Sequence, residues 1–278
     1  MKAEKGVITH KNLLWFYVAS VSLLLSGSII SYNHSLLKLF VLVWCNISGV
    51  FLIYRFNDFT DHESAFRFNI VRFLSTPSHL IVTLQLLFFA IPAAFLSLEK
   101  EILWILSIAS ILGFIYSFNF KLKNYSFKLK NIFLVKNLLI GLVWGSLVLI
   151  GSENLYYENV FFLFVYCSLQ VFIGGVIRDV PDLKMDEKNG VNSLPVVLGV
   201  ANTIKLMHFI NFISLILYLF IDNNLIFFLF FLIPFFWRCF NLLLLKGSPN
   251  NLKWSQTMNL FTCVLIFIVT IFNVFILK

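Results

Sequence analysis

The sequence predicts an all-helical integral membrane protein with nine transmembrane helices. Of its 278 residues, 60% are hydrophobic and only 12% are charged, and the mean hydropathy is +0.91. Soluble domains carry roughly 25% charged residues, so that class is excluded. Apolar runs of about 20 residues, long enough to cross the hydrocarbon core of a bilayer, recur along the chain. They cover residues 12–31, 35–56, 78–98, 101–118, 132–151, 158–177, 202–221, 223–245 and 256–277. Because no soluble segment remains, we expect residues 1–278 to form a single domain.

Basic residues are concentrated in alternate loops between these runs. They are Lys2, Lys5, Lys11, Arg55, Arg67, Arg72, Lys121, Lys123, Lys128, Lys130, Arg178, Lys184, Lys188, Lys205, Lys246 and Lys253. The intervening loops contain Glu99, Lys100, Glu101, Glu153, Glu158 and Asp222. The positive-inside rule therefore predicts a cytoplasmic N-terminus and an external C-terminus in the cytoplasmic (inner) membrane. The net charge of +8 reflects this topology, and we expect no nucleic-acid partner.

The first run is predicted to be retained as a helix, because it lacks the small-residue cleavage pattern of a signal peptide. The four cysteines all lie inside apolar runs, and none has CxxC spacing. They are Cys45, Cys167, Cys239 and Cys263. We interpret them as small packing residues and not as a disulfide or zinc framework.

The second run ends in a first acidic motif at residues 57–65, which contains Asn57, Asp58 and Asp61. Polar groups near membrane depth are costly, although at a helix end they are also readily solvated. Taken alone, this motif is equally consistent with a surface and with a functional site.

The segment at residues 66–77 mixes bulky apolar residues with Arg67 and Arg72. This composition is typical of an amphipathic segment that lies on the membrane interface. The two arginines are candidates for binding either a phosphate group or anionic lipid headgroups.

The fourth run ends at Tyr116, and Lys121 and Lys123 follow it. The two lysines suit the predicted topology and are also candidates for binding phosphate. Lys136 lies in the first turns of the fifth run. Its side chain is expected either to reach back to the interface or to act as a ligand.

A second acidic motif, residues 178–186, follows the sixth run. Its carboxylates Asp179, Asp182 and Asp186 fall at i, i+3 and i+7. They share one face of any helix that continues past its last apolar turn. Carboxylates this close repel one another unless a cation lies between them, and a divalent metal ion is the usual cation.

The two motifs are separated by 121 residues in the sequence. With this offset, Asp58, Asp61 and Ala65 align with Asp179, Asp182 and Asp186. The repeat indicates two pseudo-equivalent halves. We expect the two acidic clusters to face each other across a cavity and to hold hard cations through oxygen ligands. Both motifs open to the cytoplasm in the predicted topology.

The last three runs contain scattered polar residues, including His208 and Arg238. His208 is interpreted as a hydrogen-bonding residue between helices. Arg238 is expected either to extend to the interface or to pair locally.

In order and spacing, these features resemble the UbiA superfamily of intramembrane prenyltransferases. The resemblance rests on nine spans, on Asn-Asp-x-x-Asp after the second, and on Tyr-Ser with a lysine-rich stretch after the fourth. Its most specific part is Arg-Asp-x-x-Asp-x-x-x-Asp followed by Leu-Pro-Val-Val-Leu-Gly at residues 194–199.

The resemblance implies a helical bundle around a central cavity, in which Mg2+ bridges carboxylates to an isoprenoid diphosphate. By position, the implied metal ligands are Asn57, Asp58, Asp61, Asp179, Asp182 and Asp186. The implied diphosphate-binding residues are Lys121, Lys123, Arg72 and Arg178. The implied catalytic residues are Asp58, Asp61, Asp179, Asp182 and Tyr116. The chain departs from the family pattern at Ala65, where an Asp is common, and at Arg72-Phe73, where Arg-Pro is usual.

The implied reaction is transfer of a polyprenyl group to a lipophilic acceptor through an allylic carbocation, and the favoured acceptor resembles an aromatic quinone precursor. A membrane terpene cyclase and a prenyltransferase acting on a glycerol-phosphate lipid are the alternatives within the superfamily. A transporter or a non-catalytic subunit is the alternative outside it, although clustered carboxylates near a membrane cavity are costly without a cation to hold.

Overall fold

The computed structural model describes residues 10–31, 35–62, 70–122, 125–129, 132–152, 155, 158–188, 190–218, 225–247 and 252–276. The helices are α1 (His10–Ser31), α2 (Leu36–His62), α3 (Ile70–Leu74), α4 (Pro77–Gln85), α5 (Ile91–Ser97), α6 (Lys100–Ser117), α7 (Val135–Ser152), α8 (Glu158–Lys188), α9 (Leu194–Leu198), α10 (Val200–Tyr218), α11 (Leu225–Gly247) and α12 (Leu252–Ile276). A π-helical turn, Leu86–Ala90, joins α4 to α5. Two short strands, β1 (Asn119–Leu122) and β2 (Tyr125–Lys128), form a hairpin after α6.

The predicted membrane spans are confirmed as helices. Eight helical spans within the described residues are long and apolar enough to cross a membrane. They are α1, α2, the continuous segment Pro77–Ser97, α6, α7, α8, α10 and α11. Helix α12 contributes a further apolar stretch, Met258–Phe272, which corresponds to the ninth predicted run.

The distribution of side chains is that of a protein surrounded by lipid. Large apolar side chains such as Phe88, Leu96 and Trp104 are 68%, 89% and 69% exposed. Polar side chains, in contrast, are buried between helices, as Gln170 and Arg238 are. An apolar exterior around a partly polar interior satisfies both the bilayer and the hydrogen-bonding groups within it.

The third span contains a local irregularity around Pro92. Proline has no backbone N–H and disrupts the regular i to i−4 ladder of an α-helix. The ladder widens to a π-helical turn, Leu86–Ala90, immediately before it. Cys45 on α2 donates its thiol to the Ala90 carbonyl oxygen at 3.5 Å. The span therefore remains one continuous helix through this turn.

Helices α1 and α7 pack backbone against backbone through two glycines. A Cβ at Gly27 would overlap the carbonyl oxygen of Val148, and a Cβ at Gly151 would overlap that of Leu24. Small residues permit this close approach of membrane helices.

Helices α7 and α8 are also packed closely, and their contact sets the register of the site. A Cβ at Gly141 would lie 2.7 Å from the Ser168 carbonyl oxygen, and a Cβ at Gly145 would overlap the Ser168 hydroxyl. Because the two helices run in opposite directions, the residues that precede Gly141 lie beside those that follow Ser168. The start of α7 is thereby held against the acidic end of α8.

Helix α8 continues well past its apolar part, as the spacing of its carboxylates predicts. It ends in a Schellman motif: the Val191 N–H donates to the Asp186 carbonyl at 2.9 Å and the Gly190 N–H to the Glu187 carbonyl at 3.2 Å. Gly190 has a positive φ of 66°, which glycine adopts without strain. The chain therefore turns back at Gly190 and leads into α9 and α10.

A buried polar network joins α8 to α10, α11 and α12. Arg238 is 1% exposed and donates to the Gln170 side-chain and backbone oxygens and to Asn259 Oδ1, at 3.1, 2.9 and 2.6 Å. Gln170 in turn donates to Asn211 and Ser214. Of the two expectations for Arg238, local pairing is the one observed.

Helix α3 is part of the described structure of the segment before the third span. Helix α3 exposes Arg72 and buries Phe73, which is 6% exposed. Phe73 packs on Phe56 and Phe59 at the end of α2. Residues 66–69, including Arg67, lie outside the described part of the chain.

Candidate active site

The candidate site is built around one face of α8. Asp179, Asp182 and Asp186 lie on this face, and each of the latter two interacts electrostatically with Asp179. Asp179 is buried, whereas Asp182 and Asp186 are partly buried. The carboxylates repel one another across this face, so their proximity requires positive charge nearby.

Lys136 supplies part of that charge. Its ammonium Nζ contacts Asp179 Oδ1 at 2.5 Å. It also interacts electrostatically with Asp186 and with the Tyr116 hydroxyl. Lys136 thus belongs to the acidic site, and its position inside the bundle follows from the α7–α8 register.

Asn137 holds the second oxygen of the same carboxylate. Its side-chain amide donates to Asp179 Oδ2 at 2.8 Å. The amide fits here because a Cβ at Gly175 on α8 would lie only 2.9 Å from Asn137 Oδ1. Both oxygens of Asp179, which is 2% exposed, are therefore engaged by α7.

Asp186 has a different environment. Its Oδ2 atom is buried and accepts no hydrogen bond from the residues the structure describes. The Ser193 hydroxyl lies near this carboxylate, outside hydrogen-bonding geometry, and is also buried without a partner. Buried carboxylate oxygens are normally hydrogen bonded, so this one is available to a further ligand.

Arg178 and Asp182 lie on adjacent turns of α8 and interact electrostatically. The Arg178 guanidinium also lies 5.8 Å from the centre of the Phe16 ring on α1, within cation–π range. Phe16 is stacked on Tyr54 of α2 with ring centres 4.2 Å apart and is 6.1 Å from the ring of Trp144 on α7. Aromatic side chains from three helices therefore line the bundle beside Arg178.

The first motif lies on the last turns of α2, which extends to His62. Asn57 accepts a hydrogen bond from Ser117, at the end of α6, at 3.1 Å. Asp58 is partly buried on the same helix. Asp61 lies in the final turn, and its side chain is outside the described part of the structure, as are residues 63–69 with Glu63 and Ala65.

The predicted diphosphate-binding residues and the predicted catalytic residue Tyr116 are placed unequally. Arg178 and Tyr116 lie at the site, since Tyr116 interacts electrostatically with Lys136 and with Tyr54. Arg72 is exposed on α3. Lys121 lies in β1 with its side chain outside the described part, and Lys123 lies outside the described residues.

In the described side chains, no group of three or more His, Cys, Asp or Glu residues is arranged to hold a metal ion. The six predicted metal ligands remain a prediction.

Sequence reasoning did not connect Lys136 or Asn137 with Asp179, and it assigned no role to Ser117. A usable signal was present: two adjacent polar residues, Lys136 and Asn137, open an apolar run. Polar residues inside a membrane bundle usually pair with one another, and the acidic end of the next helix is the obvious partner.

The sequence matches the UbiA prenyltransferase family over residues 13–271. The chain belongs to this family. The match spans almost all of the membrane helices and both acidic motifs, so the UbiA assignment covers the site as well as the bundle. No curated protein sequence matches the chain significantly.

Solved structures share the UbiA fold with this chain at low sequence identity. A UbiA homologue from Aeropyrum pernix K1 superimposes with a TM-score of 0.70 at 15% identity, covering 93% of this chain and 98% of that one. A UbiA homologue from Archaeoglobus fulgidus bound to GPP and Mg2+ gives 0.66 at 12% identity, covering 95% and 98%. A structure of digeranylgeranylglyceryl phosphate synthase gives 0.63 at 18% identity, covering 96% and 99%.

Proposed function

We propose that this UbiA-family protein transfers a polyprenyl group from an isoprenoid diphosphate to a lipophilic acceptor, in a reaction that depends on Mg2+. The acceptor we favour is an aromatic molecule of the quinone-precursor type. The observation that carries the proposal is the acidic face of α8, where Asp182 and Asp186 lie beside Lys136 and Arg178. A surface that combines carboxylates with fixed cations suits a metal-bound diphosphate.

The residues present fit Mg2+. The buried, unpartnered Oδ2 atom of Asp186 and the partly buried Asp182 carboxylate, one turn apart, are the hard oxygen ligands that this ion prefers. Asn57, Asp58 and Asp61 at the end of α2 are the proposed ligands from the first motif. Bound Mg2+ would neutralise the charge that develops on the departing diphosphate.

The basic side chains have a complementary task. Lys136 is held against Asp179 before substrate arrives. Arg178 lies within cation–π range of Phe16 and interacts electrostatically with Asp182. Fixed positive groups of this kind stabilise a departing anion without reorganising during the reaction. Tyr116, Arg72, Lys121 and Lys123 are the further proposed diphosphate ligands.

The aromatic side chains protect the reactive carbon chain. Phe16, Tyr54 and Trp144 are packed into the bundle beside Arg178. An apolar aromatic wall excludes the water that would quench an allylic carbocation, and its ring faces stabilise positive charge. The carbocation is then free to react with the acceptor.

We also propose that the protein lies in the cytoplasmic membrane with both acidic motifs on the cytoplasmic side, as a single domain of two pseudo-equivalent halves. The water-soluble head of the donor would then enter from the cytoplasm, while its isoprenoid tail stays in the bilayer. The loop charges support this orientation.

Product analysis tests the proposed function. Purified protein in detergent is incubated with Mg2+ and geranylgeranyl diphosphate, with and without a pooled set of aromatic and glycerol-phosphate acceptors. We expect diphosphate release that depends on acceptor, together with a prenylated aromatic adduct in the mass spectrum.

The other outcomes are equally informative. A prenylated glycerol-phosphate lipid would retain the transferase and replace the acceptor class. Release without acceptor, yielding a cyclic terpene, would show a cyclase. Absence of release across donors of several chain lengths would contradict the catalytic assignment.

A further inference from the structure

We propose that Asp179 is not a metal ligand, and that it instead anchors the Lys136 ammonium as a fixed positive charge within the acidic site. The second motif would then coordinate metal through Asp182 and Asp186 alone. This inference rests on the proposed function, which it refines by separating one motif carboxylate from the other two.

The first argument is the occupancy of the Asp179 carboxylate. Lys136 contacts Oδ1 at 2.5 Å, and Asn137 donates to Oδ2 at 2.8 Å. Both partners come from α7, and the carboxylate is 2% exposed. A divalent cation on either oxygen would have to displace a partner or lie beside an ammonium of the same charge, which is unfavourable in a buried site.

The second argument is the contrast with Asp186. That carboxylate has a buried oxygen with no hydrogen-bond partner among the described residues, whereas Asp179 has partners on both. Of the three carboxylates on this helix face, Asp179 is therefore already neutralised, whereas Asp182 and Asp186 are available to bind metal.

The third argument concerns Lys136 itself. Its side chain is 23% exposed, and it interacts electrostatically with Asp186 and Tyr116 as well as with Asp179. The Asp179 anchor therefore keeps a positive charge beside the proposed metal and diphosphate positions. Lys136 is a positioning residue for the charged cluster, and Asp179 positions Lys136.

The test measures metal binding without turnover. Full-length protein in detergent is titrated with Mn2+ in the absence of diphosphate, so that a weakened Lys136–diphosphate contact does not affect the result. Free Mn2+ is followed by electron paramagnetic resonance. The decisive variant is the double substitution K136Q/D179N, which removes both charges but keeps hydrogen-bonding groups. D182N is the positive control for a lost ligand, and E187Q, an exposed carboxylate on the same helix, is the matched neutral control.

We expect D182N to weaken Mn2+ binding by at least about tenfold. We expect E187Q to bind Mn2+ like the wild type. K136Q/D179N should lose less Mn2+ affinity than D182N does, because it keeps both proposed metal ligands and the two charges it removes cancel. In metal-free buffer, K136Q alone should lower the melting temperature more than K136Q/D179N does, because the single variant leaves a buried carboxylate unpaired.

Loss of Mn2+ binding in K136Q/D179N equal to that in D182N would overturn the inference while leaving the proposed function intact. Equal melting temperatures for K136Q and K136Q/D179N would contradict the proposed ion pair between Lys136 and Asp179. If wild-type protein bound no Mn2+ even after inorganic diphosphate was added, the proposed function itself would fail. If the double variant does not fold, anomalous diffraction from Mn2+ in wild-type crystals shows which carboxylates coordinate the ion. An ion coordinated by Asp179 would contradict the inference.

Discussion

At the scale of single residues, chemically equal side chains have unequal roles because their partners differ. Asp182 and Asp179 are one turn apart on α8, yet only Asp179 has both oxygens engaged by α7. Asp182 instead interacts with the charges of Arg178 and Lys136 and is partly buried. A carboxylate in that environment is poised to bind a cation.

Replacing Asp182 with Asn should abolish most of the activity without unfolding the protein. The amide keeps the size of the side chain but loses the negative charge that binds metal. We expect Mg2+-dependent diphosphate release to fall by at least about 100-fold. E187Q is the matched control, and wild-type turnover in D182N would refute the metal assignment.

The buried Arg238 should matter for stability. Replacing it with Met leaves the acceptor oxygens of Gln170 and Asn259 without their donor. We expect a loss of about 1–3 kcal/mol in the free energy of unfolding, measured by thermal denaturation in detergent. Lys205→Met, an exposed site on α10, should have little effect. Equal melting temperatures for the two variants would show that the buried network contributes nothing.

At the scale of elements, helix contacts made by small residues position the site. Gly141 and Gly145 bring α7 against α8, and this contact aligns Lys136 with Asp179. Gly27 and Gly151 likewise bring α1 against α7, so that Phe16 of α1 comes within 6.1 Å of Trp144. The geometry of the charged and aromatic groups thus depends on glycines that lie away from them.

Gly27→Ala should therefore disturb the α1–α7 contact. A Cβ at this position overlaps a backbone carbonyl, which cannot move aside as a flexible side chain can. We expect a destabilisation of about 1–3 kcal/mol, read from the shift in melting temperature.

Gly49→Ala is the matched control, because a Cβ there meets nothing within 4 Å. Gly49 lies inside α2, so alanine should stabilise the helix by up to about 1 kcal/mol. A Gly27→Ala protein that melts with or above Gly49→Ala would contradict the close packing of α1 and α7.

At the scale of the whole molecule, the odd number of predicted spans predicts that the two termini lie on opposite sides of the membrane. The basic loops predict that the N-terminus is cytoplasmic. A green fluorescent protein fused to the N-terminus should fluoresce, and alkaline phosphatase fused to the C-terminus should be active, since the former folds in the cytoplasm and the latter outside it. The reverse pattern would invert the proposed topology and move both acidic motifs to the outer face.

The sequence was sufficient to predict the membrane helices and the acidic helix end, because both depend on local patterns. Long apolar runs have no stable alternative to helices in lipid. The spacing of Asp179, Asp182 and Asp186 is sufficient to predict that they share one face of α8. The β1–β2 hairpin and the π-helical turn before Pro92 were not predicted, since neither produces a distinctive periodicity.

The sequence by itself determined the class of protein, the family and the positions of the charged motifs, because all three depend on composition and short-range spacing. What only the tertiary structure decided is which charges meet. Lys136 and Asp179 are 43 positions apart, and Arg238 and Gln170 are 68 apart. Such pairs depend on how far one helix is displaced along another, and that displacement is set by the packing of small residues rather than by any local pattern.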